Sequence, residues 1–97
     1  MNDSSDTAKG PLEGIQVIDV SSAVAGPWVS SWLAEMGAEV ILIEKVGIPD
    51  VMRMTGAISE DQSGCWVHMH RNKRGMDLDI RSEAGRSILL DLVERAD

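Results

Sequence analysis

Apolar residues along the chain form two kinds of pattern, continuous runs and helical spacings. The runs "IQVIDVS" at 15–21 and "EVILIE" at 39–44 are rich in β-branched residues. Runs of this kind are typical of strands that are buried on both faces of a parallel sheet. Between them, apolar residues recur at helical spacing over 27–36, with Pro27 at the first helical position and Gly37 as a stop. The pattern predicts a β–α–β unit with parallel strands.

The second half of the chain repeats the strand and helix pattern after a long loop over 45–63. The stretch "CWVHMH" that follows the loop fits either a short helix or a strand, and "GMDLDI" predicts a third strand near 76–80. Apolar spacing then predicts a helix over 82–96. Ser82 is a suitable N-cap for this helix, and Glu83 lies in the first turn, where the helix dipole favours an acid.

These elements predict the α/β class, as the N-terminal part of a Rossmann-like, doubly wound parallel sheet: βαβ followed by a further β–α. Trp28 and Trp32 share one face of the first predicted helix, and we expect them in the core. Residues 1–9 are polar and predict a disordered leader. Residues 10–97 form the rest, and a last helix with no strand after it indicates a truncated domain from a longer protein.

Composition and charge exclude several functional classes. The net charge of −7 argues against a general nucleic-acid binder. A single cysteine cannot form an internal disulfide and fits a reducing compartment. No apolar run approaches the roughly 20 residues that a membrane helix needs, and no secretory signal opens the chain. We therefore expect a cytoplasmic protein with no membrane association.

The turn after the first predicted strand, "SSAVAGPW", lacks the glycines of the dinucleotide-binding fingerprint, because Gly26 is its only glycine. Glu44 imitates the acidic residue that binds a ribose, but without the other glycines NAD is not expected. The first helix still begins near Gly26 and presents unpaired N–H groups above the sheet. An ordinary strand-to-helix turn explains the same residues, and on physical grounds alone it is the better explanation.

Most basic residues lie between the second and third predicted strands or directly after the third. They are Lys45, Arg53, Arg71, Lys73, Arg74 and Arg81, six of the nine in the chain. Lys45 follows the second strand directly, at the carboxyl end where ligands of open α/β sheets bind. A phosphorylated ligand requires such charges, although a solvated loop is the more common explanation of a basic run.

Three further side chains have candidate chemistry. Cys65, His68 and His70 follow a spacing that matches no closed zinc pattern, so no metal is expected. Cys65 lacks an identifiable base and is interpreted as a structural cysteine. Asp19 within the first strand is either a buried, hydrogen-bonded carboxylate or an acid of the site, and the sequence leaves both open.

Three blocks together resemble a known family. The blocks are "PLEGIQVIDVSSAVAGPW", "LAEMGAEVILIEK" and "RNKRGMDLDIRSEAGR", in that order and at ordinary spacing. They resemble the opening of the class III CoA-transferases, a family that includes formyl-CoA transferase, carnitine CoA-transferases and α-methylacyl-CoA racemase. The resemblance covers 10–97. It implies that this portion of a Rossmann-like domain holds the adenosine and phosphate part of CoA.

The resemblance also implies site residues by motif position. Lys45 takes the place of a basic residue that serves the CoA phosphates, and Arg81 ends the stretch that borders the adenine. The implied CoA-binding residues are Val24, Ala25, Lys45, Leu78, Asp79, Ile80 and Arg81. The triplet Asn72–Arg74 is assigned mainly to anchoring the loop before the third strand. The family's catalytic aspartate would lie beyond residue 97, so no catalytic residue is assigned here.

The resemblance implies a CoA-transferase that moves CoA between an acyl-CoA and a carboxylic acid and forms an interlocked homodimer at full length. The alternatives are a racemase of 2-methylacyl-CoA thioesters and an inactive truncated gene product. The loop over 46–70 is long, as in the transferases, and this favours the transferase. CoA is expected as substrate, and the 97-residue chain alone is expected to be inactive.

Overall fold

A computed structural model describes residues 10–97, so the leader predicted at 1–9 lies outside the described part of the chain. The elements in chain order are β1 (Gln16–Asp19), α1 (Ala25–Glu35), β2 (Glu39–Lys45), a 3₁₀ turn (Val51–Met54), β3 (Ile58–Ser59), β4 (Gln62–Ser63), α2 (Gly64–Met69), β5 (Arg74–Leu78) and α3 (Glu83–Arg95). The "CWVHMH" stretch is therefore helical, in α2.

The main sheet has three parallel strands in the order β1-β2-β5. Asp19 pairs with Leu42 in β2, and Lys45 at the end of β2 pairs with Leu78 at the end of β5. All three strands therefore have their carboxyl ends at one edge of the sheet. The α/β class and the parallel sheet of the prediction are confirmed.

Two strands are bounded differently from their predictions. β1 ends at Asp19 rather than at residue 21, because the Asp19 carboxylate accepts hydrogen bonds from the backbone N–H and hydroxyl of Ser21 and turns the chain out of the sheet. β5 ends at Leu78 rather than at residue 80, because the Asp79 carbonyl accepts hydrogen bonds from Ser82, at 3.1 Å from its backbone N and 2.8 Å from its Oγ. In each case, the last two residues of the predicted strand are therefore the start of a turn.

The helix boundary signals at Gly37 and Ser82 are confirmed, but Pro27 is not the first helical residue, because α1 already begins at Ala25. Gly37 follows α1 with a φ of 106°, a conformation that glycine adopts without the steric cost of a Cβ atom. A Cβ at this position would also lie 2.9 Å from the backbone N of Gly10. At the start of α3, the Ser82 hydroxyl accepts a hydrogen bond of 2.9 Å from the N–H of Gly85.

The core lies between α1 and the sheet and is small. Ala34, Ala38 and Val40 are buried at its centre. Leu12, Ile15, Val17 and Leu33 pack around them. The amino end of β1 is tied to the segment after α3, because the backbone N of Asp97 donates to the Gln16 carbonyl at 2.9 Å. Among residues 10–97, no helix is both long enough and apolar enough to cross a membrane.

The prediction that Trp28 and Trp32 belong to the core is wrong. Their exposed fractions are 48% and 58%, and their rings meet edge to face at 6.4 Å on the outer side of α1. The buried face of α1 consists of Pro27, Ser30, Ser31 and Ala34. Small side chains on this face let the helix backbone approach the sheet closely, and Ser30 also satisfies a buried carboxylate.

The long loop contains a hairpin that the sequence pattern did not predict. β3 and β4 pair antiparallel, with Ile58 opposite Ser63. Glu60 and Asp61 connect them with φ values of 51° and 63°. Two consecutive positive φ values are the geometry of the tight hairpin turn whose twist matches that of its strands.

Candidate functional site

The carboxyl edge of the parallel sheet carries the candidate site. A pocket of about 210 Å³ lies there. Ser21 and Ser22 line it from the β1–α1 turn, Lys45 lines it from the end of β2, and Asp50 and Trp66 line it from the segments that follow. This is the position at which open α/β sheets bind ligands.

The structure places the seven predicted CoA-binding residues along this edge. Lys45 is exposed at the end of β2 and lies directly beside Leu78, whose carbonyl accepts a hydrogen bond from the Val46 N–H at 3.4 Å. Val24 and Ala25 are exposed at the start of α1. The pairing of β2 with β5 is what brings Lys45 and Leu78 together.

Of the last four residues, Leu78 ends β5, and Asp79, Ile80 and Arg81 lie in the turn between β5 and α3. Leu78 is 8% exposed, whereas Asp79 and Arg81 are exposed and Ile80 is half-buried. The Asp79 carboxylate accepts a hydrogen bond of 3.2 Å from the N–H of Arg81. The Ile80 side chain and the Arg81 guanidinium are therefore accessible in this turn, while the Leu78 side chain belongs mainly to the interior.

A buried ion pair lies beneath this edge. Lys73 Nζ is 3.1 Å from Asp19 Oδ2 and 3.1 Å from the carbonyl oxygen of Pro27, and the side chains of Lys73 and Asp19 are 1% and 3% exposed. The hydroxyl of Ser30 donates to the same carboxylate at 2.5 Å, and the N–H of Ser21 donates to Asp19 Oδ1 at 2.8 Å. One network thus joins β1, α1 and the loop before β5.

This network decides the role that the sequence left open for Asp19. Burial alone would raise the pKa of the Asp19 carboxyl, but hydrogen bonds from Ser21, Ser30 and Lys73 outweigh burial and hold that pKa below its ordinary value. Burial lowers the pKa of the Lys73 ammonium, and Asp19 opposes the change. Asp19 is therefore a buried, hydrogen-bonded carboxylate paired with a cation.

The contacts of the triplet Asn72–Arg74, which leads into β5, support the anchoring role predicted for it. Asn72 turns the chain with a φ of 68°, Lys73 enters the interior, and Arg74 pairs with Glu39 on the surface. The interpretation of the basic run as a solvated loop is therefore wrong for Lys73, since a basic residue next to exposed neighbours carries no local signal of burial.

His70 contacts the ammonium end of Lys73. Lys73 Nζ lies 3.0 Å from His70 Nδ1, and because an ammonium can only donate, Nδ1 accepts and the ring proton is on Nε2. Nε2 is buried with no hydrogen-bond partner among the described residues. The ring also packs against Trp66 with centroids 4.1 Å apart. Burial, followed by the charge of Lys73, lowers the pKa of His70.

Arg53 and Glu44 form a second ion pair beside the pocket. Arg53 Nε and Nη2 donate to the two carboxylate oxygens of Glu44 at 2.7 and 2.8 Å, and the guanidinium carbon lies 3.8 Å from the centre of the Trp66 ring. The Glu44 carboxylate, which imitates a ribose-binding acid in the sequence, is engaged by Arg53 in the structure.

The structure also separates the residues considered as metal ligands. His68 Nδ1 lies 3.1 Å from Arg71 Nη1 on the surface, whereas His70 contacts Lys73 inside. Within residues 10–97, no group of three or more His, Cys, Asp or Glu side chains is arranged to hold a metal ion.

Asp50 is the residue at this edge that the sequence analysis missed. Its carboxylate accepts hydrogen bonds from the Ala23 N–H in the β1–α1 turn, at 3.2 and 3.1 Å, and from the Met52 N–H at 2.9 Å. The available signal was Pro49 followed by Asp50, a pair that favours the start of a turn. The contact with Ala23, 27 residues away, had no such signal.

The geometry around His70 predicts how stability depends on pH. The folded chain has a His70 pKa below 6.5, so the unfolded chain takes up a proton first as the pH falls. We expect the free energy of unfolding to decrease as the pH falls below about 6.5, and this contribution to level off below the folded pKa. Urea unfolding between pH 5.5 and 8 measures this change.

The matched pair for this measurement is His70→Asn and His68→Asn. The first should remove the decrease, and the second should retain it because the ring of His68 contacts Arg71 at the surface. An unchanged pH profile in His70→Asn would show that the decrease has another origin.

Comparisons with known proteins identify the relatives of this fold. The family model described as CoA-transferase family III matches residues 12–97. The alpha subunit of succinyl-CoA–L-malate CoA-transferase from Chloroflexus aurantiacus is 39% identical over 89 residues, which are 90% of this chain and 21% of that protein. The acetyl-CoA:oxalate CoA-transferase of Acetobacter aceti is 36% identical over 92% of this chain and 23% of its own length.

A solved structure agrees with these relatives. A CAIB/BAIF family protein from Brucella suis superposes with a TM-score of 0.82 at 33% identity, over 92% of this chain and 25% of that protein. The chain thus spans about a fifth to a quarter of the length of the proteins that it matches.

Proposed function

Because the chain belongs to CoA-transferase family III, we propose that residues 10–97 supply part of the CoA site of an enzyme that moves CoA from an acyl-CoA to a carboxylic acid. The observation that carries the proposal is the placement of all seven predicted contacts at the carboxyl edge of the sheet. Ligands of parallel α/β sheets bind at this edge.

Each predicted contact has a role that fits its exposure. Lys45 and Arg81 are exposed and cationic, so they can neutralise the phosphates of CoA. Ile80 offers half-buried apolar surface that can flank the adenine, with Leu78 beneath it. Asp79 shapes this turn through its bond to the Arg81 N–H, and Val24 and Ala25 border the ligand from the exposed start of α1.

The relatives support a transferase over a racemase. The two named relatives are transferases, one for succinyl-CoA and L-malate and one for acetyl-CoA and oxalate. We therefore propose a carboxylic acid as the acceptor and CoA as the group transferred. The aspartate nucleophile that the resemblance implies would lie in a part of the full-length enzyme outside these 97 residues. The full-length enzyme is proposed to be a cytoplasmic, interlocked homodimer. The 97-residue chain is expected to bind CoA without exchanging it.

Charge removal at the site tests the proposal. We expect Lys45→Ala and Arg81→Ala each to weaken CoA binding by the 97-residue chain, measured by calorimetry. A charged contact is worth about 1.5–3 kcal/mol when desolvated and up to about 1 kcal/mol when exposed. Because both side chains are exposed, the expected loss is up to about fivefold for each variant.

The matched control is Arg95→Ala, which removes one positive charge at the far end of α3 and should bind CoA like the wild type. A parallel titration with 3′-dephospho-CoA identifies which residue meets the 3′-phosphate, since that variant should lose less affinity for the shorter ligand. If both site variants bind CoA as tightly as the wild type, these residues do not belong to the site.

A further inference from the structure

The turn between β1 and α1 contains an alanine in an unfavourable conformation. Ala23 has a φ of 67°, in the left-handed region. An L-residue is disfavoured there because its Cβ comes too close to the following carbonyl oxygen. Glycine would adopt this conformation readily. Since position 23 is alanine, another contact must hold the turn in this shape.

That contact is the carboxylate of Asp50. The Ala23 N–H donates to both of its oxygens, at 3.2 and 3.1 Å, and the Met52 N–H donates to Oδ1 at 2.9 Å. Asp50 is half-buried and precedes the 3₁₀ turn that follows β2. One side chain therefore joins the turn after β1 to the segment after β2.

The location of this contact connects it with the candidate site. Asp50 lines the same 210 Å³ pocket as Lys45, and Val24 and Ala25 follow Ala23 directly. The backbone conformation at Ala23 sets the direction in which the chain enters α1. A change from the left-handed to the right-handed region would redirect Val24 and Ala25 relative to Lys45.

We propose that Asp50 is a positioning residue: its carboxylate holds Ala23 in the left-handed conformation and so keeps the β1–α1 turn in its ligand-binding shape. The statement about ligand binding rests on the proposed function, whereas the statement about Ala23 does not. The negative charge of Asp50 has a second consequence. The carboxylate takes up the Ala23 N–H, which could otherwise donate to a phosphate oxygen, so the phosphates of CoA are directed toward Lys45.

A double-mutant cycle between positions 50 and 23 tests the assignment. The four proteins are the wild-type chain, Asp50→Ala, Ala23→Gly and the double variant. Asp50→Ala should weaken CoA binding about tenfold, because the β1–α1 turn loses the contact that holds its shape. The cycle measures how strongly the two positions are coupled, since neighbouring groups that share a contact have non-additive effects. The double variant should recover to within about threefold of the wild type, because glycine adopts a φ near 67° without the help of the carboxylate.

A role for Asp50 that does not act through Ala23 predicts no recovery. In that case glycine at position 23 cannot replace the missing carboxylate, and the double variant should bind CoA no better than Asp50→Ala. Binding in the double variant that equals or falls below that of Asp50→Ala would overturn the proposal.

Amide hydrogen exchange supplies a readout that does not involve CoA. The Ala23 N–H should exchange at least about tenfold faster in Asp50→Ala than in the wild type, because it loses its acceptor. The Met36 N–H, bonded to the Trp32 carbonyl at 3.1 Å at the opposite end of α1, is the reference and should change little. Equal protection of the Ala23 N–H in both proteins would contradict the assignment.

Asp50→Asn continues the test if Asp50→Ala does not fold. The amide side chain retains one oxygen, which can accept from both the Ala23 and the Met52 N–H, as Asp50 Oδ1 does, but binds them less strongly without the charge. Faster exchange at these two amides relative to Met36 supports the proposal, and unchanged exchange at both contradicts it. If the wild-type chain does not bind CoA, the proposed function fails, and amide exchange still decides the role of Asp50.

Discussion

Replacing Lys73 by methionine is expected to lower the free energy of unfolding by about 3–5 kcal/mol, because it leaves a buried charge without its partner. The side chains of Lys73 and Asp19 are 1% and 3% exposed, with Nζ 3.1 Å from Oδ2. Methionine fills a similar volume, so the loss reports the charge rather than a cavity. Urea unfolding monitored by circular dichroism measures it.

A second substitution distinguishes the pair from the packing around it. The double variant Asp19→Asn with Lys73→Met buries neither charge, so it should be more stable than Lys73→Met alone. Arg74→Met is the control, because this neighbouring cation is exposed and its surface pair with Glu39 should contribute at most about 1 kcal/mol. Equal stabilities of Lys73→Met and Arg74→Met would contradict the assigned role of the buried pair.

Replacing Gly85 by alanine is the other large expected effect. Gly85 is buried in the first turn of α3, and a Cβ there would lie 2.7 Å from the carbonyl carbon of Asp79 and closer still to its oxygen. The helix would have to move away from the turn that carries Arg81. We expect a loss of about 1–3 kcal/mol or more in the free energy of unfolding. Alanine's better helix propensity, about 1 kcal/mol, offsets part of this loss.

Gly75→Ala is the matched control for this substitution. Gly75 lies in β5, its φ is not in the left-handed region, and a Cβ there would meet nothing within 4 Å. The same chemical change should therefore be neutral or stabilising by up to about 1 kcal/mol. If thermal unfolding shows equal effects for the two variants, the close approach of Asp79 is not what requires glycine at position 85.

The sequence by itself determined the elements and their order, because those depend on contacts between near neighbours. The apolar runs at 15–21 and 39–44 predicted two buried parallel strands, and the Ser82 N-cap and Gly37 marked helix ends that the structure confirms. The same local information located Lys45 at the carboxyl end of a strand, and the family resemblance covered almost all of the described chain.

Only the tertiary structure decided which faces and charges are buried. The helical spacing alone does not determine which side of α1 is buried. In the structure, the sheet covers the side with Ser30 and Ser31, while Trp28 and Trp32 remain exposed. Both serines are small enough for close packing, and Ser30 donates to the buried Asp19, which no local pattern indicated.

The decisive polar contacts join residues that are far apart in the chain. Lys73 reaches Asp19 across 54 residues, and the Ala23 N–H is held by Asp50 across 27. Propensity and periodicity describe only a few neighbouring positions, so they cannot indicate which exposed-looking cation enters the interior or which carboxylate holds a turn. Those choices follow from the parallel pairing of the strands, which brings the ends of β1, β2 and β5 to one edge.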